Sequence, residues 1–185
     1  MRAGVSHPLL GRRIRSSWTA GARSVPQCIV WGAGTGIGKT LISAGLCKEA
    51  ASSESDGLLF FYKPVQTGFP TDSDARLVAA LCGAQEAVGA HAARLLDADT
   101  AERVTGDALD DSVWLRHRRV VLTEYAWHTA VGPHSASQQE GHGVAASDLI
   151  SSIQQRLGTF HTASCAAPSG TVLSLVETAG GVASP

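Results

Sequence analysis

No aspartate or glutamate occurs before Glu49, although Arg2, Arg12, Arg13, Arg15 and Arg23 all precede it. Cysteine is sparse: Cys28, Cys47, Cys82 and Cys165 lie far apart with no C-x-x-C pair. That spacing argues against a cysteine metal or redox site and leaves small buried thiols as the plain reading. The histidines are scattered, with no H-E-x-x-H pattern. No run of about 18 apolar residues is present, so no segment reads as a membrane-spanning helix. The net charge of −1 supplies no whole-protein basic field for nucleic acid. What remains is 185 residues, 44% hydrophobic and 17% charged, enough for one globular domain with a sizeable core.

The acid-free start combines its arginines with Ser6, Ser16, Ser17 and Ser24. Leu10, Ile14 and Trp18 are four apart, so a helix would gather them on one face and leave Arg12, Arg13 and Arg15 outside it. An amphipathic, arginine-rich, acid-free beginning has the composition of an organellar transit peptide, here residues 1–25, and a mitochondrial address is expected. The other reading is a basic tail with no address. No long apolar stretch follows the charges, which argues against a secretory signal.

Residues 26–185 read as alternating strands and helices. "QCIVW" (27–31) and "LLFFY" (58–62) are short apolar runs suited to buried strands. "TLISAGLCKEAASS" between them predicts a helix with Leu41, Ala44, Leu46 and Ala50 on its inner face. "SDARLVAALCG" (73–83) predicts a helix capped by Ser73 and closed by Gly83. Residues 84–118 suggest one or two short surface helices. "VVLTEY" reads as a strand, and residues 132–145, rich in Gly, Ser, Gln and His, as a loop. "SDLISSIQQRL" predicts a helix with Leu149, Ile153 and Leu157 on one stripe. "TVLSLV" reads as a strand that runs into Glu177. Three or four strands alternating with helices imply a parallel α/β sheet.

Between the first strand and helix lies "WGAGTGIGKT" (31–40). Gly-Lys-Thr at the head of a helix points to a phosphate-binding loop, in which backbone N–H groups and a helix N-terminus face the anion. The standard loop has four residues between its first glycine and the Gly-Lys pair. Here that position is Ala33, and the nearest glycine is Gly32, one residue further back. Gly32, Gly34, Gly36 and Gly38 alternate through the loop and permit its turns, Lys39 would supply charge and Thr40 a hydroxyl for Mg²⁺. The fold expected is therefore P-loop NTPase-like. The plain alternative is a glycine-rich turn with Lys39 in solvent.

Three more segments bear on chemistry. In a parallel sheet, consecutive strand ends gather along one edge, so "YKPVQTG" should bring Lys63 and Thr67 near the loop. Lys63 reads equally as a ligand-binding or a solvated lysine. Asp72 and Asp74 begin a helix, where a carboxylate either helps hold Mg²⁺ or simply stabilises the helix dipole. Glu177, at a strand end beside the loop, reads as a further Mg²⁺ partner or as a solvated edge acid.

In combination these segments resemble dethiobiotin synthetase. That family's loop also has five residues between its Gly and Gly-Lys-Thr, as Gly32 to Thr40 does. Its lysine-proline-valine motif is matched by "YKPVQTG", and its "SDA" by Ser73-Asp74-Ala75. Its "PH…QEG" is matched by Pro133-His134 and Gln139-Glu140-Gly141, and its "VEGAGG" by "VETAGG". Each motif is weak alone, but their shared order across residues 28–182 is specific. The resemblance implies an ATP- and Mg²⁺-dependent cyclo-ligase that forms the ureido ring of dethiobiotin from 7,8-diaminopelargonic acid and CO₂. It assigns Lys39, Lys63 and Thr67 to the reacting groups, residues 34–40 to the nucleotide, and Thr40, Asp74 and Glu177 to the metal.

Three positions depart from the family pattern. Gly36 stands where the family often has Glu, Gly132 where Ser is common, and Thr178 where the "VEGAGG" loop has Gly. The family's chain also continues past this motif with the rest of the sheet, the adenine contacts and a homodimer surface at the active site. Residues 26–185 are therefore expected to form an incomplete domain. The region 84–118 and the N-terminus resemble the eukaryotic bifunctional form, in which an aminotransferase is fused to the synthetase. Two other readings remain: a non-catalytic nucleotide-binding remnant, and a P-loop partitioning ATPase. The latter usually carries a second lysine early in the loop, where this chain has Gly34.

Overall fold

The computed structural model describes residues 25–52, 57–105, 117–166 and 172–180. In chain order the elements are β1 (Gln27–Val30), α1 (Lys39–Ser52), β2 (Leu58–Thr67), α2 (Asp74–Cys82), β3 (Gln85–Val88), α3 (Ala90–Ala93) and α4 (Ala98–Thr105). They continue as β4 (Arg119–Trp127), α5 (Pro133–Glu140), α6 (Ala146–Ala166) and β5 (Val172–Glu177). The strands form one sheet in the order β1-β5-β2-β4-β3. Every pairing is parallel. This is the α/β architecture expected of a P-loop NTPase-like domain. All but the last residue of the expected transit segment lie outside the described residues; Val25 packs against the core.

The central strand β2 shows why both sheet faces need helices. Successive side chains of a strand point to opposite faces. Leu59 and Phe61 pack with Ala44 and Cys47 of α1 and Val78 and Cys82 of α2. Leu58, Phe60 and Tyr62 pack on the other face with Phe160, Ile153 and Leu157 of α6. A strand buried on both sides reads as a continuous apolar run, which is what "LLFFY" shows. Burial also pushes the Cys47 thiol up to about 12, so it acts as a small apolar group. Arg119 joins the layers at the far end of the sheet, donating to Cys82 O at 3.1 Å and Ala51 O at 2.7 Å. Those carbonyls end α2 and α1, where cations are favoured.

Several expectations need correction. The inner face of α1 is formed by Ser43, Ala44 and Cys47, while Leu41 is 73% and Leu46 45% exposed. Small residues lie against the sheet and the larger ones face outward, so side-chain size misled the expectation. β2 does not stop at Tyr62 but runs through "KPVQT" to Thr67. Its pairing with β5 ends at Tyr62, whereas that with β4 continues to Thr67. Pro64, which has no N–H to give, is accommodated where one neighbour has already left. The sheet gains β3, which sequence missed because only Ala87 and Val88 of its four residues are buried. Residues 132–145 are not all loop: α5 starts with Pro133 at its first turn and ends at Gly141, with φ +71°. The Pro-first, Gly-after asymmetry was present in the sequence but was masked by polar composition.

The capping expectation for α2 agrees with the structure. The Ser73 side chain accepts from Arg76 N, and Gly83 takes a left-handed conformation with φ +59°. On the opposite sheet face, Arg156 of α6 clasps Glu124 of β4 in a two-pronged pair at 2.9 and 3.1 Å. Gly89 lies directly under that pair: a Cβ there would come within 2.5 Å of Glu124 Oε1 and 2.8 Å of its backbone oxygen. Gly89→Ala is therefore expected to cost about 1–3 kcal/mol of stability. A urea titration checks this as a lowered midpoint at unchanged slope.

Candidate functional site

The C-terminal ends of β1, β5 and β2 open into a cleft of about 540 Å³, lined by the phosphate loop, α2's start and residues 130–132. The loop follows β1 and delivers Lys39 and Thr40 as the first two residues of α1. Gly36 and Gly38 have φ of +70° and +92°. L-side chains rarely adopt that region, so the glycine at position 36 matches a loop shape that a glutamate would strain. The Lys39 ammonium donates to Gly34 O at 2.7 Å and so folds back along its own loop.

Four elements then converge on one point. Thr40 Oγ1 lies 2.8 Å from Asp74 Oδ1 and 2.9 Å from Glu177 Oε1. Lys63 Nζ lies 2.7 Å from Asp74 Oδ2 and 2.8 Å from Glu177 Oε1. The second Glu177 oxygen accepts from the buried Ser43 hydroxyl. Glu177 is wholly buried and Lys63 nearly so, at 3%, while Asp74 is 30% exposed. A buried carboxylate survives because its partners can all donate: one ammonium and two hydroxyls, with the single Thr40 proton shared between Glu177 and Asp74.

The structure places the residues singled out from sequence unevenly. Thr35, Gly36, Gly38, Lys39, Thr40, Lys63, Thr67, Asp74 and Glu177 all line the cleft. Gly34 and Ile37 do not; Gly34 presents its carbonyl to Lys39, and Ile37 is 57% exposed. Lys63 is not a solvated loop lysine, nor is Glu177 a solvated edge acid. Two residues were missed. Ser43, one turn after Thr40, holds Glu177 from α1. Gln66 is 5% exposed and bonded to the loop ahead of α2. Spacing along a helix could have suggested Ser43; nothing local marks Gln66 apart from its neighbours.

The remaining motif residues shape the wall. His134 is exposed and touches Gln138 of its own helix. Glu140 accepts from Thr129 N at 2.7 Å and ties the end of α5 to the segment that lines the cleft. Burial pushes its carboxyl up, but the bonds to Thr129 outweigh this and hold it below the usual carboxylate range.

Among the described residues no group of three or more His, Cys, Asp or Glu is arranged to hold an ion. The cleft does gather two carboxylates and a hydroxyl, a hard oxygen set that suits Mg²⁺ sharing its shell with water and phosphate. Charge points the same way. Lys39 and Lys63 face Asp72, Asp74 and Glu177, leaving one negative charge in surplus. A polyphosphate would be repelled by that surplus, and a divalent cation reverses it. The residues fit the ion.

A parallel sheet, a glycine loop after an edge strand, and Lys-Thr opening the next helix define the P-loop NTPase-like class. An AAA domain family model matches residues 27–110. A rice (Oryza sativa subsp. japonica) protein, the mitochondrial bifunctional dethiobiotin synthetase/7,8-diamino-pelargonic acid aminotransferase, is 36% identical over 86% of this chain and 21% of its own length. The Arabidopsis thaliana protein of the same name is 31% identical over 86% of this chain and 22% of its own. The ATP-dependent dethiobiotin synthetase BioD of Haloferax mediterranei is 36% identical over 45% of this chain and 34% of its own. Over most of its own length the chain is similar to dethiobiotin synthetases. It spans about a fifth of the length of the plant relatives it matches.

Proposed function

We propose that this chain carries the ATP- and Mg²⁺-dependent step that closes the ureido ring of dethiobiotin. The supporting observation is the meeting of Lys39, Thr40, Lys63, Asp74 and Glu177 in one cleft at the strand ends. In the proposed reaction an amine of 7,8-diaminopelargonic acid adds to CO₂, losing a proton to form a carbamate. A carbamate oxygen attacks the γ-phosphorus of ATP, and ADP leaves. The second amine then attacks the carbonyl carbon, loses its proton, closes the ring and expels phosphate.

Such chemistry needs positioning and charge neutralisation more than a strong nucleophile. Lys39 would turn from Gly34 O to the outer phosphates. The backbone of residues 34–38 would wrap the phosphate oxygens, Lys63 would meet the carbamate and the phosphoryl group, and Thr67 would hydrogen-bond the carbamate. Thr40, Asp74 and Glu177 would hold Mg²⁺, directly or through water. The ion supplies charge neutralisation at the phosphates. An apolar groove of about 440 Å³ shares Val65 and Ala179 with the cleft and runs beneath Leu149, Ile153 and Leu157. It suits the aliphatic chain of the substrate.

The proposal extends to setting. The plant relatives' names join a synthetase to an aminotransferase and call both mitochondrial. They support a fused aminotransferase in the complete protein and mitochondrial targeting by residues 1–25, with residues 26–185 as the synthetase-like part. A homodimer is the expected assembly. No helix among the described residues is long and apolar enough to cross a membrane.

The test is phosphate release that depends on diaminopelargonate, with ATP, Mg²⁺ and bicarbonate supplied. Lys39→Ala is expected to lower the rate by about 10²–10³-fold, the usual effect of removing one preorganised charge partner. Full activity in that variant would sink the phosphate role of Lys39, and release indifferent to diaminopelargonate would sink the substrate.

A further inference from the structure

We propose that Gln66, which lines the cleft, is a positioning residue that sets the cation-binding pose of Asp74 through its backbone. The inference rests on reading Asp74 as a metal carboxylate. Gln66 sits near the end of β2 and is 5% exposed. Its Nε2 donates to Thr67 O at 2.7 Å and to Asp72 O at 3.1 Å. Its Oε1 accepts from Asp74 N at 3.3 Å. A side-chain amide has two N–H donors and one carbonyl acceptor, and all are used. The orientation is unambiguous, since a flipped amide would set oxygen against two carbonyls and N–H against N–H.

The two ends of this bridge carry the consequence. Thr67 ends β2, and Asp74 opens α2. The N–H of a first helical residue has no partner within its helix, so something outside must accept it. Ser73 serves Arg76 N three residues on, and Gln66 serves Asp74 N itself. Gln66 thereby clamps the loop from 67 to 74 onto the strand that also presents Lys63. The Asp74 carboxylate, 2.8 Å from Thr40 Oγ1 and 2.7 Å from Lys63 Nζ, is aimed by a backbone that Gln66 holds. Ser73 fixes the helix start but reaches neither β2 nor Asp72 in the hydrogen bonds described; Lys63 meets the Asp74 side chain, whereas Gln66 holds its backbone.

The experiment titrates the full chain with Mn²⁺ as a paramagnetic probe, with and without ADP, by electron paramagnetic resonance. Gln66→Met keeps the shape and loses every hydrogen bond. Gln66→Asn keeps the amide but is one methylene too short, and serves if the methionine variant does not fold. Residues that orient metal ligands typically contribute about 10–100-fold to metal affinity. Either variant is expected to weaken Mn²⁺ binding about 10-fold while ADP binding without metal is unchanged. In an Asp74→Asn background the same substitution is expected to add nothing, because Gln66 acts through Asp74. Equal losses with and without metal, or an additive loss in the Asp74→Asn background, would overturn the proposal and leave Gln66 a general structural residue. Were Asp74→Asn alone to leave Mn²⁺ affinity unchanged, the metal reading of Asp74 would fail in an arm that does not alter Gln66, and this inference would fall with it.

Discussion

Replacing Lys63 with methionine is expected to lower turnover by about 10²–10³-fold while tightening divalent-cation binding. The two effects run in opposite directions because Lys63 has two roles in one place. Its ammonium lies 2.7 Å from Asp74 Oδ2 and 2.8 Å from Glu177 Oε1, on the oxygens proposed for the ion. A divalent cation on those oxygens must compete with it, and the displaced ammonium becomes available to the anionic carbamate and phosphoryl group. With Lys63 gone, nothing competes, but nothing positive meets the reacting anion. The metal-free variant also leaves a buried carboxylate with no ammonium, a loss of about 3–5 kcal/mol for breaking a buried pair. Thermal melts with and without Mg²⁺ should show that loss largely reversed by the ion. Turnover within threefold of the parent, or metal affinity that falls with turnover, would exclude the dual role.

The second large effect concerns Glu177. Glu177→Gln is expected to cost about 3–5 kcal/mol in stability and to abolish measurable Mg²⁺ dependence of nucleotide binding. The carboxylate accepts from Thr40, Ser43 and Lys63, all donors. An amide offers one acceptor oxygen and turns its NH₂ toward at least one of those partners, so the substitution loses charge-assisted bonds and leaves Lys63 with Asp74 as its remaining carboxylate partner among those described. Asp74→Asn should cost clearly less, since Asp74 is 30% exposed and water can replace part of what is lost. Chemical denaturation of the two variants side by side measures the difference. An Asp74→Asn loss equal to that of Glu177→Gln would falsify the claim that burial sets the ranking.

Much of the phosphate-loop half of the site could be read from the chain because its parts are neighbours in sequence. A strand, alternating glycines and a helix opening on Lys39-Thr40 lie within residues 27–52, and local backbone rules are enough to order them. The caps of α2 were legible for the same reason: Ser73 and Gly83 act on groups within a few residues. The helix at Pro133–Glu140 replaces the loop expected there although its signals are local: the polar composition suits a loop, while Pro-first, Gly-after chemistry suits a helix. The inward stripe of α1 differs from the expected one because small residues let the helix lie close to the sheet while its leucines face outward.

By itself the sequence determined that the chain is an α/β domain with a phosphate loop between Gly32 and Thr40, and which motifs accompany that loop. It could not decide whether Lys63, Asp74 and Glu177 were functional or merely solvated. Lys63 and Glu177 stand 114 residues apart, and Thr40 and Glu177 stand 137 apart. Only the placement of β5 between β1 and β2 brings them within hydrogen-bond distance. Strand order in a parallel sheet is set by which faces the crossover helices bury, a property of the whole core rather than of any segment. Local chemistry therefore specified the loop, and long-range packing specified what faces it.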